Sequence, residues 1–317
     1  RIPVREQYLR GQTPQSFYLP TILEAHEKAI KDSYSEATDD CSLLTRIGKH
    51  VFIVEGDEHN IKITTELDLF LAEQILRLSQ KATQSKNIQN VKNKTYVVTG
   101  GTGGIGSAIC SRLESMGAKA IPISKNSKEY QANLCNPEQV QQIFEEIHLQ
   151  YGKIDGLINC IGSMIYQPFK TLDPKQIIDL VETNLIASLY CCKYAQINSG
   201  GHILNITSSS YFKGRKNYAV YSACKAAIVN FTQGLSEELP DLCVNAFAPQ
   251  RTLTPLRLLN FPSEPFDHLL DKEDVATSVV QILSQHNLTG SIFDLRKSYT
   301  HMGSQDSDTN RKLQPII

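Results

Sequence analysis

The amino-acid sequence predicts an α/β protein whose larger part is a doubly wound parallel sheet and whose first part is a smaller α/β unit. Between Thr95 and Leu295, apolar strand-like runs alternate with helical patterns, which is the order of a parallel sheet covered by helices on both faces. A glycine-rich loop joins the first of these strands to a helix. The chain has 317 residues, of which 41% are hydrophobic, and this is enough for two domains with separate cores.

We expect four segments along the chain. Residues 1–80 form the smaller unit, in which Glu66 to Leu78 has helical apolar spacing. Residues 81–93 are rich in Lys, Asn and Gln and are the expected linker, residues 94–297 form the domain with the sheet, and residues 298–317 are a polar, flexible tail. The chain begins at Arg1 without an initiator Met, which indicates a fragment or a processed chain.

Composition excludes several classes of partner. Lys and Arg number 32 against 33 Asp and Glu, so the net charge of −1 provides no general basic field for nucleic acid or an anionic membrane. No apolar run approaches the roughly 18 residues of a membrane span. We therefore expect a soluble, cytoplasmic protein that acts on a small molecule. The cysteines show no C-x-x-C motif and no zinc-ligand spacing with His, so we expect no metal site in this chain.

The glycine-rich loop predicts a dinucleotide site. A β-branched strand, Thr95–Thr99, runs directly into Gly100–Gly106. A helix with one apolar face follows, and Gly117 ends it. Glycines in this context let backbone N–H groups and the positive end of the helix approach a pyrophosphate closely.

The second predicted strand, Lys119–Ser124, indicates which dinucleotide is bound. Folds that select NAD usually place an acidic residue after this strand, where it binds the ribose hydroxyls. Here the position holds Lys125, whose cation suits the extra phosphate of NADP, and so we expect NADPH rather than NADH. A solvated surface lysine is the alternative interpretation.

A tyrosine and a lysine on one helix predict reductase chemistry. Tyr221 and Lys225 are four residues apart in the helical stretch Tyr218 to Glu238, so they share one face. We expect the ammonium to lower the phenol pKa from about 10, which would make Tyr221 a general acid for a carbonyl oxygen. Ser208, at the end of a predicted strand, could hold the same oxygen, and Asn184 could anchor a water that passes protons to Lys225.

These motifs resemble the short-chain dehydrogenase/reductase family over residues 94–297. The family's T-G-x-x-x-G-x-G motif is similar to Thr99–Gly106, its N-N-A-G motif is similar to Asn159–Gly162, and its Asn-Ser-Tyr-Lys tetrad falls on Asn184, Ser208, Tyr221 and Lys225. The resemblance implies a Rossmann-type fold and a nicotinamide cofactor. The expected cofactor-binding residues are Thr99, Gly100, Thr102, Gly104, Ile105, Gly106, Lys125, Asn159, Gly162, Tyr221, Lys225 and Thr254. One departure is Gln250, which replaces the family's glycine and should reshape the substrate loop.

Cationic residues in two loops predict an anionic substrate. Lys213, Arg215 and Lys216 lie between Ser208 and Tyr221, while Arg251 and Arg257 follow the strand that ends at Pro249. Arg binds phosphate through two parallel hydrogen bonds and Lys supplies a point charge, so a phosphorylated ketose fits this pattern. A solvated turn is the alternative for the first group.

Residues 1–80 carry weaker local signals. Gln12 to Gln15 predicts a rigid turn, Thr38 to Asp40 predicts a helix cap, and Asn60 to Thr65 predicts a short strand that ends at a cap. These segments resemble the C-terminal part of the cytidylyltransferases that act on methylerythritol and ribitol phosphates. The resemblance implies that Arg5, Thr13 and Lys62 hold a sugar-alcohol phosphate. The family's CTP loop and metal-binding Asp lie upstream, so CTP and Mg are expected only in a longer parent enzyme.

Together the two parts resemble the bacterial bifunctional ribulose 5-phosphate reductase/CDP-ribitol pyrophosphorylases of capsule and wall-polymer synthesis. The resemblance implies NADPH-dependent reduction of D-ribulose 5-phosphate to D-ribitol 5-phosphate, conversion to CDP-ribitol by the parent enzyme, and a homodimer. Three alternatives stay open: cytidylyl transfer as the main activity, reduction of another ketose or sugar phosphate, and a non-catalytic interaction protein.

Overall fold

A computed structural model describes residues 11–57, 59–79, 91–286 and 288–297. The chain divides into two compact units, Arg1–Leu76 and Arg77–Ile317. Most of the expected linker and the whole expected tail lie outside the described residues. Val91, which the sequence assigned to the linker, is fully buried in the core of the second unit. The packed part of that unit therefore begins before the predicted residue 94.

The described residues of the first unit form three helices. These are α1 (Leu19–Lys31), α2 (Asp40–Arg46) and α3 (Glu66–Ser79). Ala25 and Ala29 of α1 pack against Leu43 of α2 in a small apolar cluster. The predicted cap is confirmed, because the Asp39 carboxylate accepts a hydrogen bond from the backbone N–H of Ser42 at the start of α2.

The strand predicted at Asn60 to Thr65 is wrong, because this segment is irregular. Side-chain hydrogen bonds, rather than pairing with another strand, hold this segment: the Asn60 amide donates to the Thr13 carbonyl at 2.6 Å. The predicted cap at its end is present. The Thr65 hydroxyl accepts the N–H of Asp68, while the Asp68 carboxylate accepts hydrogen bonds from Thr64 and Thr65. Those bonds, the Thr64 hydroxyl first, hold the pKa of Asp68 at about 2.

The second unit is built on a seven-stranded parallel sheet, as the sequence predicts. Its order is β3-β2-β1-β4-β5-β6-β7. The strands are β1 (Thr95–Thr99), β2 (Lys119–Ser124), β3 (Tyr130–Gln131), β4 (Ile154–Asn159), β5 (Ile197–Ile206), β6 (Cys243–Pro249) and β7 (Ile292–Leu295).

Seven α-helices accompany the sheet within the described residues. They are α4 (Gly104–Ser115), α5 (Pro137–Tyr151), α6 (Pro174–Val181), α7 (Ala187–Tyr194), α8 (Ala219–Glu238), α9 (Pro255–Asn260) and α10 (Lys272–Leu283). A single π-helical turn, Glu182–Ile186, joins α6 to α7. In the described parts of the chain, no helix combines the length and the apolar character that a membrane crossing requires.

Alternation along β1 shows how the two faces of the sheet are covered. Tyr96 and Val98 point into a core formed with α4 and α10. Val97 points into a second core formed with α5 and α7. Burial on both faces explains why the strands are continuous apolar runs rather than alternating ones.

The strand order creates a crevice at one edge of the sheet. From β1 the chain winds outwards through β2 and β3, whereas from β4 it winds in the opposite direction to β7. The carboxyl ends of β1 and β4 therefore lie side by side with their connections leading apart, which is where parallel α/β sheets bind ligands. The loops after β1, β4, β5 and β6 all open at this edge.

Candidate active site

The glycine loop after β1 is shaped for close approach by a ligand. Gly100 has a φ of +65°, and a Cβ there would lie 3.0 Å from the Cys160 carbonyl oxygen. A Cβ on Gly106 would overlap the Gly100 carbonyl oxygen, so only glycine fits where α4 crosses the loop. The cap of α4 is Gly103, which has no side chain to accept the first N–H groups. Those N–H groups are free to bind an anion at the crevice.

The rim of this loop carries two hydroxyls and a cation. Thr102 Oγ1 lies 2.8 Å from Ser124 Oγ, which joins the glycine loop to the end of β2. Lys125 follows directly and is exposed. The structure thus places the two predicted residues, Thr102 and Lys125, at the same end of the crevice.

Two predicted cofactor residues have buried side chains. The Thr99 hydroxyl donates to Asn159 Oδ1 at 3.2 Å, and Asn159 Nδ2 donates to Asn205 Oδ1 at 2.9 Å. Asn205 in turn donates to the Thr232 hydroxyl on α8. These bonds lock the carboxyl ends of three neighbouring strands together. The side chains of Thr99 and Asn159 support the crevice from beneath, and Ile105 likewise packs against the core.

Tyr221, Ser208 and Lys225 meet at the carboxyl end of β5. Tyr221 is only 9% exposed, and its phenol hydrogen-bonds the Ser208 hydroxyl. Lys225 Nζ lies 5.7 Å from the centre of the Tyr221 ring and donates to the Ile206 carbonyl at 3.0 Å. The Thr207 hydroxyl donates to the Lys225 carbonyl at 2.7 Å, which fixes α8 against the end of the strand.

Asn184 completes the predicted tetrad from the π-helical turn. Its Nδ2 donates to the Leu180 carbonyl at 2.8 Å, and its Oδ1 accepts the Ser163 N–H at 3.1 Å. A Cβ on Gly162 would lie 3.2 Å from Asn184 Oδ1 and 3.6 Å from Lys225 Nζ. Asn184 and Lys225 therefore flank the same glycine, and a side chain there would crowd the Asn184 amide oxygen.

The predicted direction of the Tyr221 pKa is wrong. Burial raises the pKa of Tyr221 to about 12, and it outweighs the hydrogen bond from Ser208 and the positive charge of Arg257, which act in the opposite direction. Burial also lowers the pKa of Lys225 to about 8. The phenol consequently keeps its proton at neutral pH, which is the state that a proton donor requires.

Thr254 reaches the glycine loop from the far side of the crevice. Its hydroxyl caps α9 by accepting the Arg257 N–H at 3.2 Å. A Cβ on Gly104 would lie 2.8 Å from Thr254 Cβ. Thr254, an expected cofactor-binding residue, therefore lies next to the glycine loop.

Arg251 and Arg257, which the sequence predicted to bind substrate, are both paired with one carboxylate, Glu264. Arg257 binds both carboxylate oxygens of Glu264 with Nε and Nη2, the latter at 2.9 Å from Oε1, and Arg251 Nη1 lies 2.8 Å from Oε1. The Arg257 guanidinium also stacks on the Phe261 ring, 3.6 Å from its centre. The two arginines hold the pKa of Glu264 below its usual value, the hydrogen bond from Arg257 contributing most. Lys213, Arg215 and Lys216 lie in an exposed loop.

Sequence reasoning missed three features of the site. Tyr166, Tyr218 and Phe261 form an aromatic cluster beside Tyr221, with ring centres 4.7 Å apart for Tyr166 and Phe261 and 6.2 Å apart for Tyr218 and Tyr221. Glu264 carried no recognisable signal. The third feature, Ser210, was visible only as part of a serine run; it is buried directly behind Ser208.

The first unit holds two of the three residues predicted to bind a sugar-alcohol phosphate. Gln12 binds the backbone of Asp57 in both directions, and Asn60 binds the Thr13 carbonyl. These bonds join the Thr13 turn to the segment that carries Lys62, and both side chains are exposed. Arg5 lies outside the described residues.

Two family models match the sequence. The model of the short chain dehydrogenases matches residues 94–263, which is more than half of the chain. The model of 2-C-methyl-D-erythritol 4-phosphate cytidylyltransferase matches residues 2–78. The two matches fall on the second and first structural units, respectively.

One curated relative matches nearly the whole chain. The chain is 33% identical over 308 residues to the bifunctional ribulose 5-phosphate reductase/CDP-ribitol pyrophosphorylase Bcs1 of Haemophilus influenzae, an alignment that covers 93% of this chain and 64% of that protein. The chain thus spans less than two thirds of that relative's length.

Solved structures match about two thirds of the chain. The aldohexose dehydrogenase of Thermoplasma acidophilum superposes with a TM-score of 0.61 and 25% identity, covering 66% of this chain and 94% of its own. A short-chain dehydrogenase of Burkholderia cenocepacia, solved in complex with NADP, superposes with a TM-score of 0.60 and 22% identity, covering 65% of this chain and 98% of its own. The latter likeness shows the shared fold alone.

Proposed function

The chain belongs to the short-chain dehydrogenase family, and we propose that it reduces D-ribulose 5-phosphate to D-ribitol 5-phosphate with NADPH. We further propose that it does so as part of a longer bifunctional enzyme that makes CDP-ribitol from CTP. The observation that carries the first proposal is the meeting of Ser208 with the buried Tyr221 and Lys225 at the mouth of a glycine-loop crevice. The similarity to the bifunctional relative supports the choice of substrate.

Each residue of the tetrad has a chemical role in this proposal. A bound reduced nicotinamide supplies a hydride to the carbonyl carbon, C2 of the ketose. Tyr221 gives its phenolic proton to the carbonyl oxygen, and Ser208 donates a hydrogen bond to the same oxygen as negative charge develops there. Lys225 stabilises the phenolate that remains, because the ammonium is held on the same helix face.

Proton return follows from the positions of Lys225 and Asn184. The Lys225 ammonium carries three protons, one of which is used by the Ile206 carbonyl. Asn184 lies across Gly162 from this ammonium, held there by Leu180 and Ser163. We propose that protons reach Tyr221 from solvent along this path.

NADPH is the proposed cofactor because Lys125 is exposed beside Thr102, where the cation can bind the extra phosphate. Comparing kcat/KM for NADPH and NADH tests this proposal. Lys125→Glu should reverse the preference, because a carboxylate repels the phosphate and accepts hydrogen bonds from ribose hydroxyls. A preference that stays the same after this change would argue against the role of Lys125.

Arg251 is the proposed partner of the substrate phosphate. Two arginines share one glutamate, so the group keeps a net positive charge. Arg257 donates from both Nε and Nη2 to the Glu264 carboxylate. Arg251 contacts Glu264 only through Nη1, and its side chain is 41% exposed. Its remaining N–H groups are available to a phosphate.

A substrate comparison tests this assignment. Arg251→Ala should raise KM for the phosphorylated ketose far more than for its dephosphorylated form, and an equal effect on both would reject the idea. Lys213→Ala and Arg215→Ala are the matched controls in the other cationic loop. A selective loss in those variants would transfer phosphate binding to that loop.

The main test of the function is reduction of a panel of ketose phosphates with NADPH and NADH side by side. Tyr221→Phe should abolish turnover and leave NADPH binding nearly unchanged, since the change removes one hydroxyl and keeps the ring. Tyr190→Phe, which removes the same group from α7, should retain turnover. Activity that survives in Tyr221→Phe would refute the proposed mechanism.

Cytidylyl transfer is the second candidate function, favoured by the family match over residues 2–78 and by the contact that joins Thr13 to the Lys62 segment. We propose that Arg5, Thr13 and Lys62 hold ribitol 5-phosphate in the parent enzyme. Measurement of CTP consumption by the full-length protein tests this. We also propose a homodimer, which analytical ultracentrifugation would check.

A further inference from the structure

A buried hydroxyl lies directly behind Ser208. Ser210 is only 4% exposed, and its Oγ donates to Ser208 Oγ at 3.2 Å. The backbone N–H of Ser210 donates to the same oxygen at 3.3 Å. The turn that allows this is closed by the Tyr211 N–H, which donates to the Ser208 carbonyl at 2.9 Å.

These two bonds restrict what Ser208 can do. A serine hydroxyl has one proton to donate and two lone pairs that accept. Ser210 supplies a donor to each lone pair, one from its backbone and one from its side chain. Ser208 is therefore left with its own proton as the only group that can form a further hydrogen bond.

That remaining proton determines the direction of the bond to Tyr221. The phenol hydrogen-bonds the Ser208 hydroxyl, and Ser208 must be the donor in this bond because its acceptor sites are filled. The proton of Tyr221 is then not used by Ser208. It stays free to point at the carbonyl oxygen of the substrate.

We propose that Ser210 is a positioning residue: it fills the acceptor sites of Ser208, so that Ser208 can only donate its one proton, to Tyr221 in the free enzyme and to the carbonyl oxygen when substrate is bound, and the Tyr221 proton stays available for transfer. The inference rests on the proposed catalytic roles of Ser208 and Tyr221 and adds a residue that touches neither substrate nor cofactor. It also makes Ser208 an obligate donor. Such a group favours the alkoxide that forms over the ketone that is consumed.

Removing the Ser210 hydroxyl should weaken this control. In Ser210→Ala one lone pair of Ser208 becomes free, so Ser208 can accept the Tyr221 proton in a hydrogen bond that opposes its transfer. We expect kcat for D-ribulose 5-phosphate reduction to fall about tenfold, which corresponds to the loss of one hydrogen bond. KM and the dissociation constant of NADPH should stay within about twofold, because Ser210 contacts neither ligand.

Two variants separate orientation from packing. Ser210→Thr keeps the hydroxyl and should recover most of the lost kcat. Ser209→Ala removes a hydroxyl from the neighbouring residue of the same turn and should leave kcat within about twofold of the wild type. The solvent deuterium isotope effect on kcat should rise in Ser210→Ala, because proton transfer becomes slower relative to the other steps.

The outcomes are distinguishable. A kcat for Ser210→Ala within twofold of the wild type, with an unchanged isotope effect, would overturn the inference. So would a Ser210→Thr variant as impaired as Ser210→Ala, or an equal loss of NADPH affinity, because both would indicate a packing role. Turnover by Tyr221→Phe, measured beside these variants, would instead refute the proposed function itself.

Discussion

Alkaline pH should switch off reduction through Lys225. Burial lowers the pKa of this lysine from its ordinary 10.5 to about 8, against the smaller opposite effects of Cys160 and Cys224. A lysine carries its charge below its pKa and is neutral above it. The phenol of Tyr221, with a pKa of about 12, stays protonated throughout the same range. The loss of charge on Lys225 is therefore the titration that kcat/KM should follow.

The magnitude follows from the titration curve. About half of the Lys225 ammonium remains at pH 8, about a tenth at pH 9 and about 3% at pH 9.5. Because kcat/KM reports groups of the free enzyme, it should fall about tenfold per pH unit above pH 8. The assay is reduction of the ketose phosphate by NADPH from pH 6 to 10 at constant ionic strength.

A charge-conserving variant provides the control. Lys225→Arg keeps a cation at every pH of the assay, so whatever activity it retains should show no decline between pH 8 and 9.5. A wild-type profile that stays flat to pH 10 would refute the reasoning. An alkaline decline that persists in Lys225→Arg would assign the titration to another group.

Three other predictions follow from buried contacts. Burial lowers the pKa of His202 to about 3, below the 6.5 of an unfolded chain, so as the pH falls below about 6.5 the unfolded chain binds a proton that the folded protein does not, and the free energy of unfolding decreases. Urea unfolding should therefore give a free energy of unfolding about 2 kcal/mol smaller at pH 5 than at pH 7.5. The decrease should be smaller in His202→Gln, which has no imidazole to protonate. Gly106→Ala should weaken NADPH binding, measured by fluorescence titration, at least about tenfold, because the new methyl displaces the glycine loop. Gly234→Ala, where a Cβ meets open space, should bind NADPH as the wild type does. Equal NADPH affinity in the two variants would contradict this prediction. Glu264→Gln should lower Tm by several degrees, since the partly buried guanidinium of Arg257 loses its charged partner, and an unchanged melting curve would show that the pair contributes little.

Local signals account for what the sequence predicted well. The strands Thr95–Thr99 and Lys119–Ser124 have the predicted bounds. In both cases a β-branched or apolar run ends at residues that change the backbone direction, and such signals do not depend on distant parts of the chain. The helix around Tyr221 was predictable for the same reason, and the helical period then places Lys225 on the same face.

Charge and protonation could not be predicted in this way, because they depend on contacts between distant segments. The four-residue spacing of Tyr221 and Lys225 correctly brought the two groups together, but the spacing says nothing about burial. Burial determines the direction in which both pKa values move. Glu264 likewise pairs with Arg251 and Arg257 through a loop that has no periodic pattern.

Some residues of the cofactor-site motifs are placed to bind the cofactor, whereas others support the strands that form the site. Thr99 and Asn159 belong to two sequence motifs of the site, yet their side chains are buried and join β1, β4 and β5 from beneath. The glycine loop can approach a pyrophosphate only if the end of β1 keeps a fixed position relative to the ends of the neighbouring strands. The hydrogen bonds of Thr99 and Asn159 fix that position. A buried Asn that lost one of them would leave a polar group unsatisfied in the core, at a cost of about 1–3 kcal/mol. The same motif can therefore be required for binding even where its side chains never touch the ligand.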